Sequence, residues 1–368
     1  MLKKKKTHFK EIPIEKKQNH HYCLKSFLIT ATIIVFAVIV LGIIYWQYAK
    51  FPSLSSPITK TYTWDYKETP YTLNETLYKS TAEYYGKKIK GIYSNFEENS
   101  ISKYFKYPKQ DKSISEVANK IKLSAEQGKL TPDQTIDLTL DYVQSLPYDE
   151  IRAKTDLTHP RYPYETLYEG IGICSDKTLL TVAILRELGY GTAVFMYESD
   201  QHMAPAVQCP TEYSNYNSGY CIAETTAIGH KIGIVPELDQ KSLQAVSRAE
   251  VPTFENQIKN PLAPKILSTP KIYSKTSGNI YQGVIQTVAN EKEIAEISVY
   301  LGQQKIRIDA SEAELTRLKR ELNMYDTQEN IKKYNSLVPT YNNLVATVKA
   351  QIEEYNQKVN RYNYLIKQ

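Results

Sequence analysis

Cysteine is scarce in this chain of 368 residues, which holds only four, at positions 23, 174, 209 and 221. No two of them are separated by just two residues, as the paired ligands of structural zinc sites usually are. This spacing argues against a metal site built from Cys174, His202, Cys209 and Cys221. We therefore expect neither a metal nor a cofactor.

Net charge is missing from most of the chain. The sequence has 46 basic and 40 acidic residues, a net charge of +6. Residues 1–25 supply this excess with eight lysines and two glutamates. The remainder is neutral in sum, so it lacks the overall positive charge typical of nucleic-acid-binding domains. We therefore expect no nucleic-acid partner.

Charged side chains are also absent from residues 27–46, which are mostly apolar. As a helix these twenty residues would measure about 30 Å, the hydrocarbon thickness of a bilayer. Tyr45 and Trp46 stand at the far end, as interfacial aromatic residues do. A cleaved signal peptide is the alternative. However, its apolar region would be shorter and would end in a small-residue cleavage site, which residues 47–50 do not offer.

The sequence thus predicts a basic cytoplasmic tail at residues 1–25 and an uncleaved transmembrane helix at residues 26–48. Because the lysines precede the span, the positive-inside rule places the N-terminus in the cytoplasm. We expect a single-pass protein of the cell membrane whose remaining domains are extracytoplasmic.

The most informative motif is Gly172-Ile173-Cys174-Ser175-Asp176-Lys177, which opens a predicted helix. Apolar residues recur at helical spacing up to Leu188, and Gly189 follows as a stop signal. Cys174 should therefore lie on the first turn of a mostly buried helix. The free backbone N–H groups and the helix dipole stabilise a thiolate at such a position.

His202 and Glu224 complete a set of side chains suited to nucleophilic catalysis. His202 follows a predicted strand at residues 192–197 and opens another at residues 203–208, and Glu224 lies near the end of a third. A histidine at the start of one strand can face a carboxylate at the end of its antiparallel neighbour. Cysteine, histidine and carboxylate make an activated thiol nucleophile. The competing interpretation is a small buried hydrophobic residue at position 174, the commoner role of a lone cysteine.

Blocks of sequence around these residues occur in an order that is similar to a known family. They lie at residues 142–148, 161–167, 172–180, 202–204 and 224–226. Together they resemble the transglutaminase-like superfamily, and most closely its membrane-anchored archaeal and bacterial members, over roughly residues 114–237. The resemblance implies an α+β, papain-like fold and a triad of Cys174, His202 and Glu224.

Two departures from the family pattern limit what the resemblance implies. Ile173 stands where these relatives usually have aspartate, and Glu224 replaces the aspartate of the animal enzymes, without a His-Ala-Trp motif. The sequence still has a residue for each of the three triad roles. The resemblance does not, however, imply the cross-linking specificity of the animal enzymes. The backbone N–H of Cys174 would supply half of an oxyanion hole, and Gln144 is a candidate for the other donor.

The other segments can be assigned more coarsely. We expect a tether and a β-containing segment at residues 49–112, the transglutaminase-like domain at 113–240 and a connector with a β-hairpin at 241–310. Residues 72–85 fit a strand followed by a helix, but the pattern does not decide this. Residues 148–165 are predicted as a long loop beside the substrate cleft.

A heptad pattern distinguishes the last segment, residues 311–368, as a helical coiled coil. Its a positions hold Val338, Val345, Ile352, Val359 and Ile366, and tyrosine or valine fills the d positions. Pro339 should start the second of two helices or kink a longer one. An intramolecular hairpin turning near residues 336–339 and an intermolecular coiled coil, which would make a homo-oligomer, both fit this pattern.

Cys209 and Cys221 could pair in an oxidising compartment. If His202 lies directly opposite Glu224 on antiparallel strands, the numbers of any two facing residues sum to 426, so Cys221 faces Pro205. Cys209 then stands about 13 Å along the strand from the position that faces Cys221. A disulfide would therefore need a bulge or a looser hairpin, and the sequence leaves both states open.

These observations predict a membrane-anchored, extracytoplasmic thiol enzyme with a protein or peptide substrate at the cell envelope. It would carry out acyl transfer or hydrolysis at an amide bond, and the residues do not distinguish water from an amine as acceptor. The alternative is a non-catalytic binding module of the same fold, displayed on the coiled coil.

Overall fold

A computed structural model of the protein describes residues 28–42, 50–88, 90, 97–155, 159–238, 265–325 and 328–367. Two compact units divide after Pro52. In the first unit, residues 28–42 form helix α1. Among the described residues, no helix is both long enough and apolar enough to cross a membrane. The predicted basic tail and both ends of the predicted span lie outside the described residues.

The second unit begins with a β-hairpin of strand β1 (Pro57–Tyr66) and strand β2 (Thr69–Tyr78). Threonine alternates with aromatic residues in β1, so Tyr62 and Trp64 share its buried face. Both rings pack against the ring of Tyr142, with centroids 5.5 and 5.1 Å away. Helix α2 (Lys79–Gly86) follows β2 directly. A strand followed by a helix is thus what residues 72–85 form.

In the described residues, six further helices lie between α2 and the central sheet. They are α3 (Glu98–Ser102), α4 (Ser113–Gln127), α5 (Pro132–Ser145), α6 (Glu150–Thr155), α7 (Pro163–Glu169) and α8 (Cys174–Glu187). Helix α8 packs against α4, α5 and α7 on one side and the sheet on the other, and its first twelve residues are all buried. The prediction of a buried helix starting at Cys174 is confirmed. The prediction of an unbroken loop at residues 148–165 is wrong, because α6 and α7 interrupt it.

The central sheet is antiparallel, with the strand order β5-β4-β3-β8. Its strands are β3 (Thr192–Tyr197), β4 (His202–Gln208), β5 (Tyr220–Ile222) and β8 (Lys271–Tyr273). Between β5 and β8 in the chain, β6 (Glu237–Leu238) pairs with β7 (Lys265–Ile266). The segment predicted as a connector therefore contributes β8 to the sheet of the domain.

Two long helices, α9 (Val284–Met324) and α10 (Ile331–Leu365), form the C-terminal part. The β-hairpin of the predicted connector, expected at residues 296–308, is wrong, because these residues belong to α9. Apolar residues alternate locally there, which led to the strand interpretation. Burial instead follows the three- and four-residue spacing of a helix: Ile297 and Ile308 are buried while Val299 and Ile306 are exposed.

Helices α9 and α10 pack antiparallel as an intramolecular hairpin. Tyr300 donates a hydrogen bond of 2.5 Å to Glu354, and Arg361 forms paired bonds of 2.8 and 2.7 Å with Glu293. In both pairs the two residue numbers sum to 654, as they do when two segments run antiparallel in one register. The turn lies between Met324 and Ile331 rather than near residues 336–339, and Pro339 lies within α10 rather than at its start.

Candidate active site

The turn into α8 depends on a glycine. The Gly172 N–H donates to the carbonyl of Pro147 at 3.2 Å, and its carbonyl accepts from the N–H of Asp149 at 3.3 Å. A Cβ atom at position 172 would lie 2.9 Å from the Cβ of Asp176, which is closer than side chains can pack. Glycine therefore allows the segment around Pro147 to run beside the first turn of α8.

Asp176 fixes that first turn from inside the protein. It is fully buried, and its carboxylate accepts hydrogen bonds from the backbone N–H groups of Ile173 at 3.1 Å and Arg161 at 2.7 Å. Its other close partner is the guanidinium of Arg152. Burial raises the pKa of Asp176, while the charge of Arg152 and the hydrogen bonds oppose this shift. Asp176 thus has a structural role at the start of the helix.

Arg161 ties the preceding segment to the same turn. Its guanidinium donates to Asp149 at 3.1 Å and to the carbonyl of Ile171 at 2.9 Å. Sequence reasoning missed Arg152 as the partner of Asp176, because 24 residues separate the two along the chain. The two arginines together hold the segment that contains α6 against the helix that Cys174 opens.

His202 and Glu224 form a buried pair. Nε2 of His202 lies 2.7 Å from Oε2 of Glu224. Oε1 of Glu224 accepts bonds from the backbone N–H groups of Thr225 and Thr226, at 2.8 and 2.7 Å, and from the Thr226 hydroxyl at 2.7 Å. With one oxygen held by this turn, the other is aimed at the imidazole.

The electrostatics of this pair favour two charged partners. Burial lowers the pKa of His202, but the charge of Glu224 and the hydrogen bonds to Cys174 and Glu224 outweigh it and raise that pKa to about 10. Burial raises the pKa of Glu224, but the charge of His202 and the hydrogen bonds to His202 and Thr226 bring it down to about 2. At neutral pH the imidazolium and the carboxylate therefore stabilise each other.

Cys174 is the third member of this group. Its side chain hydrogen-bonds to His202, and its thiol is free and 6% exposed. The structure thus brings Cys174, His202 and Glu224 into one continuous chain of hydrogen bonds, which can pass a proton between sulfur and imidazole and hold the imidazole in orientation.

Gln144 does not serve as the oxyanion donor suggested for it. Its Nε2 donates to the backbone carbonyls of Glu224 at 2.7 Å and His230 at 3.0 Å, and its Oε1 accepts from the N–H of Gly229 at 2.9 Å. Both amide hydrogens are therefore used within the protein. The physical role of Gln144 is to hold the turn that carries Glu224.

Lys177 is a site neighbour that sequence reasoning missed. It is 1% exposed, and its ammonium donates to the carbonyls of Gln144 at 3.2 Å and Leu146 at 2.8 Å, at the C-terminal end of α5. Burial lowers the pKa of Lys177 to about 8, opposed by the charge of Glu224. The only signal in the sequence was a lysine on the first turn of a helix that was predicted to be mostly buried.

Cys209 and Cys221 form a disulfide with a Cα–Cα distance of 5.8 Å. The bond fits because the register differs from the one assumed: Cys221 pairs with Val207, so partner numbers sum to 428 rather than 426. Strand β5 also ends two residues before Glu224. The disulfide removes two ligands from the metal site considered above. Within the described ranges, no group of three His, Cys, Asp or Glu side chains could hold a metal ion.

Comparison with known families agrees with this architecture. Residues 100–214 match a family described as a transglutaminase-like domain. The match includes Cys174 and His202, while Glu224 lies beyond its end, and it supports a papain-like fold. No curated protein sequence matches the chain. The part of the chain that contains α8, β3 and β4 is thus similar to a transglutaminase-like domain.

Proposed function

We propose that this protein is a thiol enzyme that attacks amide bonds, with Cys174 as nucleophile, His202 as acid–base group and Glu224 as the residue that orients and charges the imidazole. One observation carries the proposal. The three side chains form a buried chain of hydrogen bonds at the start of a helix, and Nε2 of His202 lies 2.7 Å from Glu224. A structural cysteine does not require a buried imidazole held in place by a carboxylate.

In the proposed reaction the thiol proton is held by His202, as the imidazolium that Glu224 stabilises, and the sulfur attacks the carbonyl carbon of the substrate. A carbon–sulfur bond forms, and the carbonyl electron pair moves to oxygen. When the carbon–nitrogen bond breaks, the leaving amine takes the proton that His202 holds. The raised pKa of His202 keeps that proton on the ring until the amine leaves.

The resulting thioester would then react with water or with an amine. The first acceptor gives peptidase chemistry and the second gives acyl transfer, and both use the same three residues. We infer a protein or peptide substrate at the cell envelope. We also propose that the protein forms a homo-oligomer through its C-terminal helices, which pack against each other within one chain as well.

An extracytoplasmic location at the cell membrane is supported by two independent features. The uncharged residues 27–46 follow a lysine-rich leader, the arrangement of an N-terminal anchor. The disulfide between Cys209 and Cys221 suits an oxidising compartment. We propose that the N-terminus is cytoplasmic and that the transglutaminase-like domain is outside.

Hydrolysis of p-nitrophenyl acetate by the full chain tests the enzymatic proposal. We expect the wild-type protein to release p-nitrophenol over many turnovers and Cys174→Ala to fall to the uncatalysed rate. The non-catalytic binding module is the other outcome. It would show equal, background-level release by both proteins.

A further inference from the structure

Helix α9 has apolar residues on two opposite faces. The face towards α10 contains the buried residues Ile297 and Ile308. Val299 and Ile306 lie two residues from these positions, a spacing that turns a side chain to roughly the other side of a helix, and both are exposed. A second row of side chains follows this outer side at the three- and four-residue spacing of a coiled coil. This row, the outer stripe of α9, consists of Ile285, Val288, Lys292, Ala295, Val299, Gly302, Ile306, Asp309, Ala313 and Thr316.

The outer stripe exposes large apolar side chains to solvent. Val299 is 62% exposed and Ile306 is 67% exposed, and Ile285 and Val288 extend the row at 41% and 38%. Apart from the half-buried Gly302, every member of the stripe is exposed in the described part of the chain. From residue 285 to residue 316 the stripe measures about 47 Å along the helix. An exposed apolar row of this length is typical of a surface that binds another protein.

The outer stripe is complementary to a second copy of itself that runs antiparallel. When Val299 of one copy faces Gly302 of the other, the numbers of any two facing residues sum to 601. Every large apolar side chain then faces a small or polar one, which leaves room for it between the two helices. The facing pairs are Val299 with Gly302, Ile306 with Ala295, Val288 with Ala313, Ile285 with Thr316 and Lys292 with Asp309.

The two charged members of the outer stripe determine the direction of the pairing. In the antiparallel arrangement Lys292 of each copy faces Asp309 of the other, so the interface contains two pairs of opposite charge. Asp309, which already lies 3.2 Å from Lys305 of its own helix, then gains a second cation. A parallel arrangement in register would instead place Lys292 against Lys292 and Asp309 against Asp309, and like charges oppose association. Its two Gly302 residues would also face each other and leave a gap.

We propose that two copies of this protein form a dimer through the outer stripes of their α9 helices, packed antiparallel about a two-fold axis that passes near residues 300 and 301. The inference rests on the proposed homo-oligomer, to which it adds a face, a direction and a size. One self-complementary surface on both copies is what a two-fold interface requires. Because α10 covers the other side of α9 within each copy, both apolar faces of α9 are buried in the dimer.

Sedimentation equilibrium of the full chain in a mild detergent measures this dimer. We expect the wild type to be dimeric and Val299→Asp or Ile306→Asp to weaken the dimer by more than about 100-fold, because each change would bury two unpaired charges. Met324→Asp is the matched control, since Met324 is 67% exposed, like Ile306, and lies on the same helix beyond the stripe. It should leave the dimer unchanged. Circular dichroism should show the helix content of the wild type in all three variants.

Exchanging the two charges tests the antiparallel register without changing an apolar residue. Lys292→Asp or Asp309→Lys alone should weaken the dimer by about tenfold, because each puts like charges opposite each other at two places. The double variant, Lys292→Asp with Asp309→Lys, should return to within about twofold of the wild type, because the two changes act on one pair. This result decides the inference even where a change of Val299 or Ile306 disturbs the helix.

Three results would overturn the inference. A monomeric wild type would refute it together with the proposed homo-oligomer. An oligomer that Val299→Asp and Ile306→Asp leave intact would refute the inference alone, since the copies would then meet through another surface. A double charge variant that associates no better than the single ones would do the same. None of these results bears on the chemistry of Cys174, which p-nitrophenyl acetate tests separately.

Discussion

Glu224 reaches His202 from outside the sheet: its Oε2 lies 2.7 Å from Nε2 of the imidazole, although β5 ends two residues earlier. The carboxylate is therefore positioned by a turn rather than by strand pairing. Hydrogen bonds from Thr225 and Thr226 hold its other oxygen, and Gln144 ties the same turn to α5. Predictions about the site depend on this arrangement.

The first prediction concerns the two partners of Cys174. His202→Ala should slow acylation by about 10²–10⁴-fold, because the thiol loses its proton acceptor. Glu224→Gln should have a smaller effect, because an amide oxygen can still orient the imidazole but cannot stabilise its positive charge. Rates of p-nitrophenol release measure both effects. A larger loss in Glu224→Gln than in His202→Ala would contradict the assigned roles.

The second prediction concerns stability against pH. The pKa of His202 is raised from 6.5 to about 10, so its contribution is complete below pH 6.5 and is lost as pH rises through 10. The pKa of Glu224 is lowered from 4.5 to about 2, so its contribution is present above pH 4.5 and is lost as pH falls through 2. The pair should therefore stabilise the fold most between pH 4.5 and 6.5.

Urea unfolding of wild type and Glu224→Gln at several pH values measures this contribution. The stability difference between them should be largest within that window and should shrink towards pH 10. Glu212→Gln, which changes an exposed glutamate, is the control and should give no such profile. A difference between wild type and Glu224→Gln that does not vary with pH would show that the pair is not charged.

The third prediction concerns the disulfide. Replacing both Cys209 and Cys221 by alanine should destabilise the domain by about 2–4 kcal/mol, because the bond restrains the unfolded chain. Thermal denaturation with and without reductant should show the same loss in wild type. Reductant should not affect the double variant. Mass spectrometry that finds two free thiols in the unreduced protein would refute the bond.

The fourth prediction concerns the C-terminal hairpin. Val348 occupies a d position of the heptad and is buried between α9 and α10. Val348→Asp should lower the free energy of unfolding by more than about 2 kcal/mol, since it buries an unpaired charge. Lys349→Asp, one residue away on the exposed surface, is the control and should be nearly silent. Equal helix melting of the two variants by circular dichroism would contradict the packing described.

Local signals explain what could be predicted from the sequence. Apolar spacing and a preceding glycine predicted α8, and a run of β-branched and aromatic residues predicted β3 with its observed ends. Cys174 and His202 lie at the starts of such elements, so their positions followed from local patterns. For Glu224 the sequence predicted a position near the end of a strand, opposite His202. In the structure it lies in a turn beyond β5 instead.

Tertiary contacts explain what could not be predicted. Gln144 and Lys177 interact with backbone carbonyls far away in sequence, and no local pattern marks such partners. The observed register of β4 and β5 differs by two residues from the predicted one. The prediction assumed that His202 and Glu224 pair in the sheet, and they do not. The helical stretch at residues 284–310 was misread, because Val299 and Ile306 are apolar yet exposed.

The central claim is that Cys174 forms a covalent acyl intermediate with the help of His202. Peptide mapping by mass spectrometry after brief exposure to p-nitrophenyl acetate tests it most directly. We predict one acetyl group, on Cys174, that hydroxylamine removes as it removes thioesters. It should be absent from Cys174→Ala and much slower to form in His202→Ala. Acetylation spread over surface lysines, with Cys174 unmodified, would contradict the account.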